Sequence, residues 1–275
     1  MPLARIPRER REFLAELAED IWETHSGGVP ACLETIVEKN QLTMSVSDYG
    51  EAFDGLIEHR RGRFHIYLNT ARGPAWSPRS RFTLGHELGH YFIDEHRNAL
   101  AGGEPPHGSF PSRPSENPAE QEANLFSSHL LMPTKKYHAK FKKTKPGLQA
   151  IRDIADSFQV SIQCSALRYV VSSGRPCAII MFRNGAKPWW DVSPELEAMG
   201  LTRPRDLDRE FPEDFATAQA KATESTQPMV IYSNSTVADV WFSNIHASST
   251  KNGVMREESM RLGKHGFLTL LEADM

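Results

Sequence analysis

Phe82-Thr83-Leu84-Gly85-His86-Glu87-Leu88-Gly89-His90-Tyr91-Phe92 is the stretch on which the reading of this chain turns. On an α-helix His86 and His90 are i and i+4, about 40° apart around the axis, so both imidazoles project on one side. Two nitrogens so placed can share one metal ion at the roughly 2.0–2.1 Å that zinc requires. Glu87 lies about 100° round from His86. That is out of place for a third ligand and well placed to take a proton from a water, whose pKa zinc lowers to about 7. Phe82, Leu84, Leu88, Tyr91 and Phe92 flank the motif and mark the helix as buried. Burying two histidines and a glutamate with no ion between them would leave costly unpaired polarity.

Two residues compete for the third ligand position. His96 stands six residues after His90, the spacing of the pattern His-Glu-x-x-His-x-x-Gly-x-x-His. Ile93 occupies the place where that pattern turns the chain on a glycine. A β-branched residue takes such backbone geometry poorly, so the helix is expected to run from about Arg81 to Glu95. His96 would then point about 240° away from His90 and is read as a surface histidine. The other candidate lies in Glu120-Gln121-Glu122-Ala123-Asn124. Glu122 is about 200° from Glu120, so only one of them can face the site. We choose Glu120 as ligand and Asn124, on the same face, as the group that orients a ligand by hydrogen bonding. Ala123 is small enough to let two helices approach closely.

Working outward, Pro7 suits the first turn of a helix that Gly27-Gly28 ends. Its apolar face is Phe13, Leu14, Leu17, Ala18, Ile21 and Trp22. A short helix runs from about Pro30 to Lys39, and Leu42 to Tyr49 reads as a strand. Gly55–Glu58 and Phe64–Leu68 form a hairpin across Arg60-Arg61-Gly62-Arg63. Five prolines and three glycines between Ala101 and Pro118 make a mobile surface loop. The next helix spans Pro118 to Pro133. Lys135 to Lys145 holds six lysines and no acid, and helices follow at Leu148–Phe158 and Ser161–Val171. From Cys177 the character turns to β: Cys177–Phe182, a turn at Asn184-Gly185, then Met229–Tyr232, Val237–Phe242 and Phe267–Leu271. The organisation expected is a metal-site domain over 1–134, a helical, helix-turn-helix-like segment over 135–173, and an α+β domain over 174–275.

His86-Glu87-Leu88-Gly89-His90-Tyr91-Phe92, then Glu120-Gln121-Glu122-Ala123-Asn124-Leu125-Phe126, then Leu130-Leu131-Met132-Pro133 resembles the ImmA/IrrE family of zinc metallopeptidases. Ile151 to Arg168 is similar to the helical segment that follows in that family. The resemblance covers about Arg8 to Val171. It implies an α+β fold with a zincin-like metallopeptidase domain and a helical extension, followed by a smaller mixed domain for which a GAF-like sensor is one form. It also implies one Zn2+ held by His86, His90 and Glu120, with Glu87 as general base. The implied activity is a limited cut in a protein partner, a helix-turn-helix repressor, in a DNA-damage, stress, mobile-element or anti-phage response. His129 departs from the acidic or small residue that the family often has there. It falls on the far side of its helix from Glu120.

Composition bounds the alternatives. The 275 residues carry 32 Lys and Arg against 35 Asp and Glu, a net charge of -3, so nucleic-acid contact is local rather than global. Lys135–Lys145 supplies such a locality, with Tyr137, His138 and Phe141 among the lysines. It makes single-stranded DNA one candidate activator, and a small ligand is another. The second function class is a DNA-binding regulator that uses residues 135–171 and has a structural or vestigial metal site. Three scattered cysteines fit a reducing compartment. No apolar run approaches a membrane span and the N-terminus lacks a secretory signal, so a cytoplasmic protein with no membrane partner is expected. A substrate strand is expected to pair near Phe64–Leu68. Tyr67, His65 and Tyr91 are the nearest candidates for the oxyanion partner.

Overall fold

The computed structural model describes residues 6–106, 108–110, 116–227, 229–243 and 253–273. The chain divides into two compact units. One is Met1–Lys142 with Ile154–Ser161; the other is Lys143–Asp153 with Ile162–Met275.

The first unit opens with α1 (Arg8–His25) and α2 (Leu33–Lys39). Leu14, Ala18 and Trp22 are buried, whereas Phe13 is half exposed and carries the Arg10 guanidinium 5.3 Å from its ring. The inward face of α1 is therefore narrower than its apolar content suggests. Three strands follow: β1 (Thr43–Ser47), β2 (Gly55–Arg60) and β3 (Arg63–Asn69). Arg61 (φ 51) and Gly62 (φ 77) make the hairpin turn, the double positive-φ geometry that matches strand twist. The sheet order is β1-β3-β2, with β1 parallel and β2 antiparallel to β3. Phe64–Leu68 is thus the central strand. Its hydrogen-bonding edges are both taken, and it offers no seat for a substrate strand.

α3 (Pro78–Phe92) starts on Ser77, whose hydroxyl accepts from the Ser80 N–H at 3.3 Å. It does not continue through Ile93. That residue sits at φ -77, ψ 112, and a new helix, α4 (Asp94–Ala101), begins at once. The expectation of one helix to Glu95 assumed that a break needs a left-handed residue. The chain breaks through extended backbone instead, which β-branched residues favour.

α5 (Pro118–Leu131) is capped by Asn117, whose Oδ1 accepts from the Ala119 N–H at 3.0 Å. Between α4 and α5, Ser109 forms an antiparallel bridge with Gly55 and is buried, so part of the expected mobile loop is built into the sheet. His107 and Pro111 to Ser115 of that loop lie outside the described residues. α6 (Thr134–Phe141) makes a helix of the first half of the lysine-rich stretch. α7 (Leu148–Phe158) spans the division between the units, and α8 (Ile162–Ser172) belongs to the second.

The second unit continues with β4 (Cys177–Arg183), β5 (Ala186–Val192), α9 (Pro194–Ala198), α10 (Ala216–Ala222), β6 (Ile231–Val237), α11 (Ala238–Trp241), β7 (Val254–Arg261) and β8 (Phe267–Ala273). Its antiparallel sheet has the order β5-β4-β8-β7-β6. Ile180, Leu271, Met255, Trp241 and Phe242 meet in its core. Val237–Phe242, expected as a strand, is one turn of helix after β6. Trp241 and Phe242 are both buried, so the run is apolar because it plugs the core. β7 escaped the sequence reading because Glu257 and Ser259 interrupt its apolar pattern, yet both are buried. Among the described residues no helix is long and apolar enough to cross a membrane.

Candidate metal centre

α3 and α5 approach closely because small residues face each other. A Cβ on Gly85 would lie 2.5 Å from Ser127 Oγ, and one on Gly89 would lie 3.1 Å from Ala123 Cα. The Ser127 hydroxyl donates to the Phe82 carbonyl at 2.8 Å. This approach carries Glu120, in the first turn of α5, to the two histidines of α3. Glu120 Oε1 is 3.2 Å from His90 Nε2, Glu120 Oε2 is 3.4 Å from His86 Nε2, and the two Nε2 atoms are 3.1 Å apart. Ligand atoms bound tetrahedrally at about 2.0–2.1 Å lie about 3.3–3.4 Å from one another, so the spacing suits one small divalent ion. All three residues are buried.

The electrostatics agree with the geometry. His86 Nδ1 is 3.0 Å from Asn124 Oδ1. An amide oxygen only accepts, so Nδ1 carries the proton and Nε2 turns its lone pair towards Glu120. Burial pushes His90 down to about 4, against the raising effect of Glu120, so its imidazole is neutral at physiological pH. Two imidazole nitrogens and a carboxyl group converging in a buried site are the donor set of a cation.

Glu87 neighbours His86 and is buried. The Ser109 hydroxyl bonds its Oε1 and also lies 3.1 Å from the Gly55 carbonyl oxygen. Gly55 must be glycine here, since a Cβ would stand 2.5 Å from both Glu87 Oε1 and Thr83 Cγ2. Ser109 was invisible to sequence reasoning, because nothing in a proline-rich loop signals a return to the helix.

His96 is not on the surface. The break at Ile93 swings it back until its ring centroid is 5.1 Å from that of His90, and its side chain is only 10% exposed. Burial lowers its pKa, although Glu122 opposes this. Glu122 faces away from the trio. Its Oε2 lies 3.4 Å from His96 Nε2, and it receives two bonds from Arg10, at 3.0 and 2.6 Å. His129 is likewise remote, with its Nδ1 3.3 Å from Glu19.

Of the expected oxyanion candidates, Tyr67 and His65 have polar partners within the sheet, and the Tyr91 ring is packed. Tyr67 donates to Glu58 at 2.7 Å, His65 bonds Thr43 and Ser45, and Tyr91 packs edge-on against Phe64. None of the three cysteines is in a disulfide.

Residues 50–169 match the family model described as the IrrE N-terminal-like domain, Peptidase M78. That segment contains the trio, Glu87 and Ser109. Among solved structures, the chain is similar to a Mycobacterium tuberculosis transcriptional regulator, with 14% identity and a TM-score of 0.58 over 97% of this chain and 90% of that one. At that identity the likeness is one of fold. No curated protein matches the sequence.

Proposed function

From an ImmA/IrrE-like domain over residues 50–169, we propose that the chain is a zinc-dependent endopeptidase that makes a limited cut in a regulatory protein. The convergence of His86, His90 and Glu120 beside Glu87 carries the reading. His86, His90 and Glu120 would hold one Zn2+, and Asn124 would keep His86 in the binding tautomer. A zinc ion bound there would supply an acidified water and a polarised carbonyl.

Glu87 takes the proton of the attacking water and hands it to the departing amine. Ser109 and Gly55 hold the Glu87 carboxylate in place, and the buried surroundings keep bulk water from competing. The substrate backbone is read as running along the edge of β2 that no strand of the described residues pairs with. Ser109 already takes the rung at Gly55, and strand alternation turns Ile57 and His59 to the same side.

The protein partner is read as a helix-turn-helix repressor in a stress, DNA-damage, mobile-element or anti-phage response, acting in the cytoplasm. The resemblance of the motifs supports that reading, and a fold relative described as a transcriptional regulator is compatible with it. The second unit, a five-stranded antiparallel sheet with helices, is read as a GAF-like sensor that takes a small ligand. Lys135–Lys145 remains the segment for single-stranded DNA.

The test is proteome-wide. Zinc-loaded protein is incubated with extract of its host, and new N-termini are labelled and identified by mass spectrometry. Few new termini are expected, all absent with Glu87→Gln, which should still bind one zinc by metal analysis. Termini that persist in Glu87→Gln, or none in either, would overturn the peptidase reading.

A further inference from the structure

A cavity of about 140 Å³ lies beside Glu87 and His90. It is smaller than the ~300–1,000 Å³ of small-molecule sites, a size for a single side chain. Its lining is mixed in character. Glu87 and His90 belong to it, and both are buried. Ile57 from β2 and Leu100 from α4 make its apolar wall, 4% and 8% exposed. Two further acids line it, Glu95 and Glu104, and both are exposed to solvent. Among the described residues its lining holds no lysine or arginine.

We propose that this cavity seats one side chain of the substrate next to the cut bond, and that it selects an aliphatic stem ending in a cation, lysine or arginine. The inference rests on the peptidase reading and names what that site takes. The stem removes apolar surface from water against Ile57 and Leu100. The head stays in solvent between the exposed carboxylates, as long cationic side chains prefer. An aspartate or glutamate would meet apolar wall and like charge together. Arg10 offsets part of the charge of Glu95, which it bonds at 3.1 Å. Glu104 is therefore the main discriminator of the head, and Leu100 with Ile57 that of the stem. The break at Ile93 makes this possible, since a continuous helix would carry Leu100 elsewhere.

Hydroxamates of glycine, norleucine and lysine separate the contributions, because each anchors at zinc through the same group. Their affinities for the zinc-loaded full chain are measured by calorimetry at low and high salt. Norleucine hydroxamate is expected to bind on the order of 10- to 100-fold tighter than glycine hydroxamate, from the methylenes buried. Lysine hydroxamate is expected to exceed norleucine hydroxamate by about 1.4- to 5-fold at low salt. High salt, or Glu104→Gln, should erase that last gain. Equal binding of glycine and norleucine hydroxamates overturns the cavity as a side-chain seat. Lysine hydroxamate weaker than norleucine hydroxamate overturns the choice of a cation. Zinc-independent or absent binding of all three removes the metal reading beneath, and the inference falls with it.

Discussion

Replacing Gly89 with alanine sets two effects of opposite sign against each other. Within a helix, glycine to alanine gains about 0.8–1.0 kcal/mol of propensity. The added Cβ would lie 3.1 Å from Ala123 Cα, 3.3 Å from the Ala123 carbonyl oxygen and 3.3 Å from Phe126 Cδ1. Carbon contacts settle at about 3.5–4.0 Å, so α5 must retreat by roughly 0.5 Å. Two of the three neighbours are backbone and cannot rotate away. Overpacking of this kind costs about 1–3 kcal/mol, so the metal-free protein should lose between roughly 0 and 2 kcal/mol in urea denaturation. The larger effect falls on the metal. Glu120 rides on α5 three residues before Ala123, so the same retreat withdraws its carboxylate from the histidines. Zinc affinity, measured by competition with a chromogenic chelator, should fall about 10- to 100-fold, the range seen when supporting groups of metal sites are altered. A variant stabilised by the full propensity gain that holds zinc as tightly as the parent would refute the idea that close contact between α3 and α5 sets the position of Glu120.

Asn124→Leu removes the acceptor of His86 Nδ1 and frees the ring to take the other tautomer; zinc affinity should drop about 10- to 100-fold with the fold retained by circular dichroism. Chelation should lower the melting temperature, since an ion present at 100 times its Kd contributes about 2.7 kcal/mol to the folded state, and no shift on adding zinc back would contradict a folded-state site. Glu19 sits at about 2: burial pushes it up, but bonds from His129 and from the Thr134 hydroxyl and N–H outweigh this. Its folded pKa lies below its unfolded one, so its contribution is present above about 4.5 and is lost as the pH falls towards 2. Glu19→Gln should therefore lower stability at neutral pH and flatten the acid limb of a denaturation profile across that window.

The parts of the fold that sequence exposed are those where one local signal decides. The helix over His86–His90, the proline starts and stops of α5, and the Arg61-Gly62 hairpin carry their own punctuation. Helical angle limits the site to one of Glu120 and Glu122 without saying which. Other features depended on distant atoms. Ile93 gives no break signal, because extended backbone is open to any residue. Ser109 reaches Glu87 only through the sheet edge at Gly55. β7 hides its strand character because Glu257 is buried, with the Thr217 N–H donating to it at 2.7 Å. Trp241 and Phe242 look like strand residues until the core that they fill is known.

One turn of α5 does two jobs. Glu120 faces the histidines, and Glu122, two positions on, grips Arg10 of α1 and stands against His96. An inserted or deleted residue between them would revolve one relative to the other by about 100°, so neither task could be kept by repairing the other. That turn should admit changes of residue but not of length, and any swivel of the rod on its axis would loosen the hold on α1 and part Glu120 from the two histidines in a single movement.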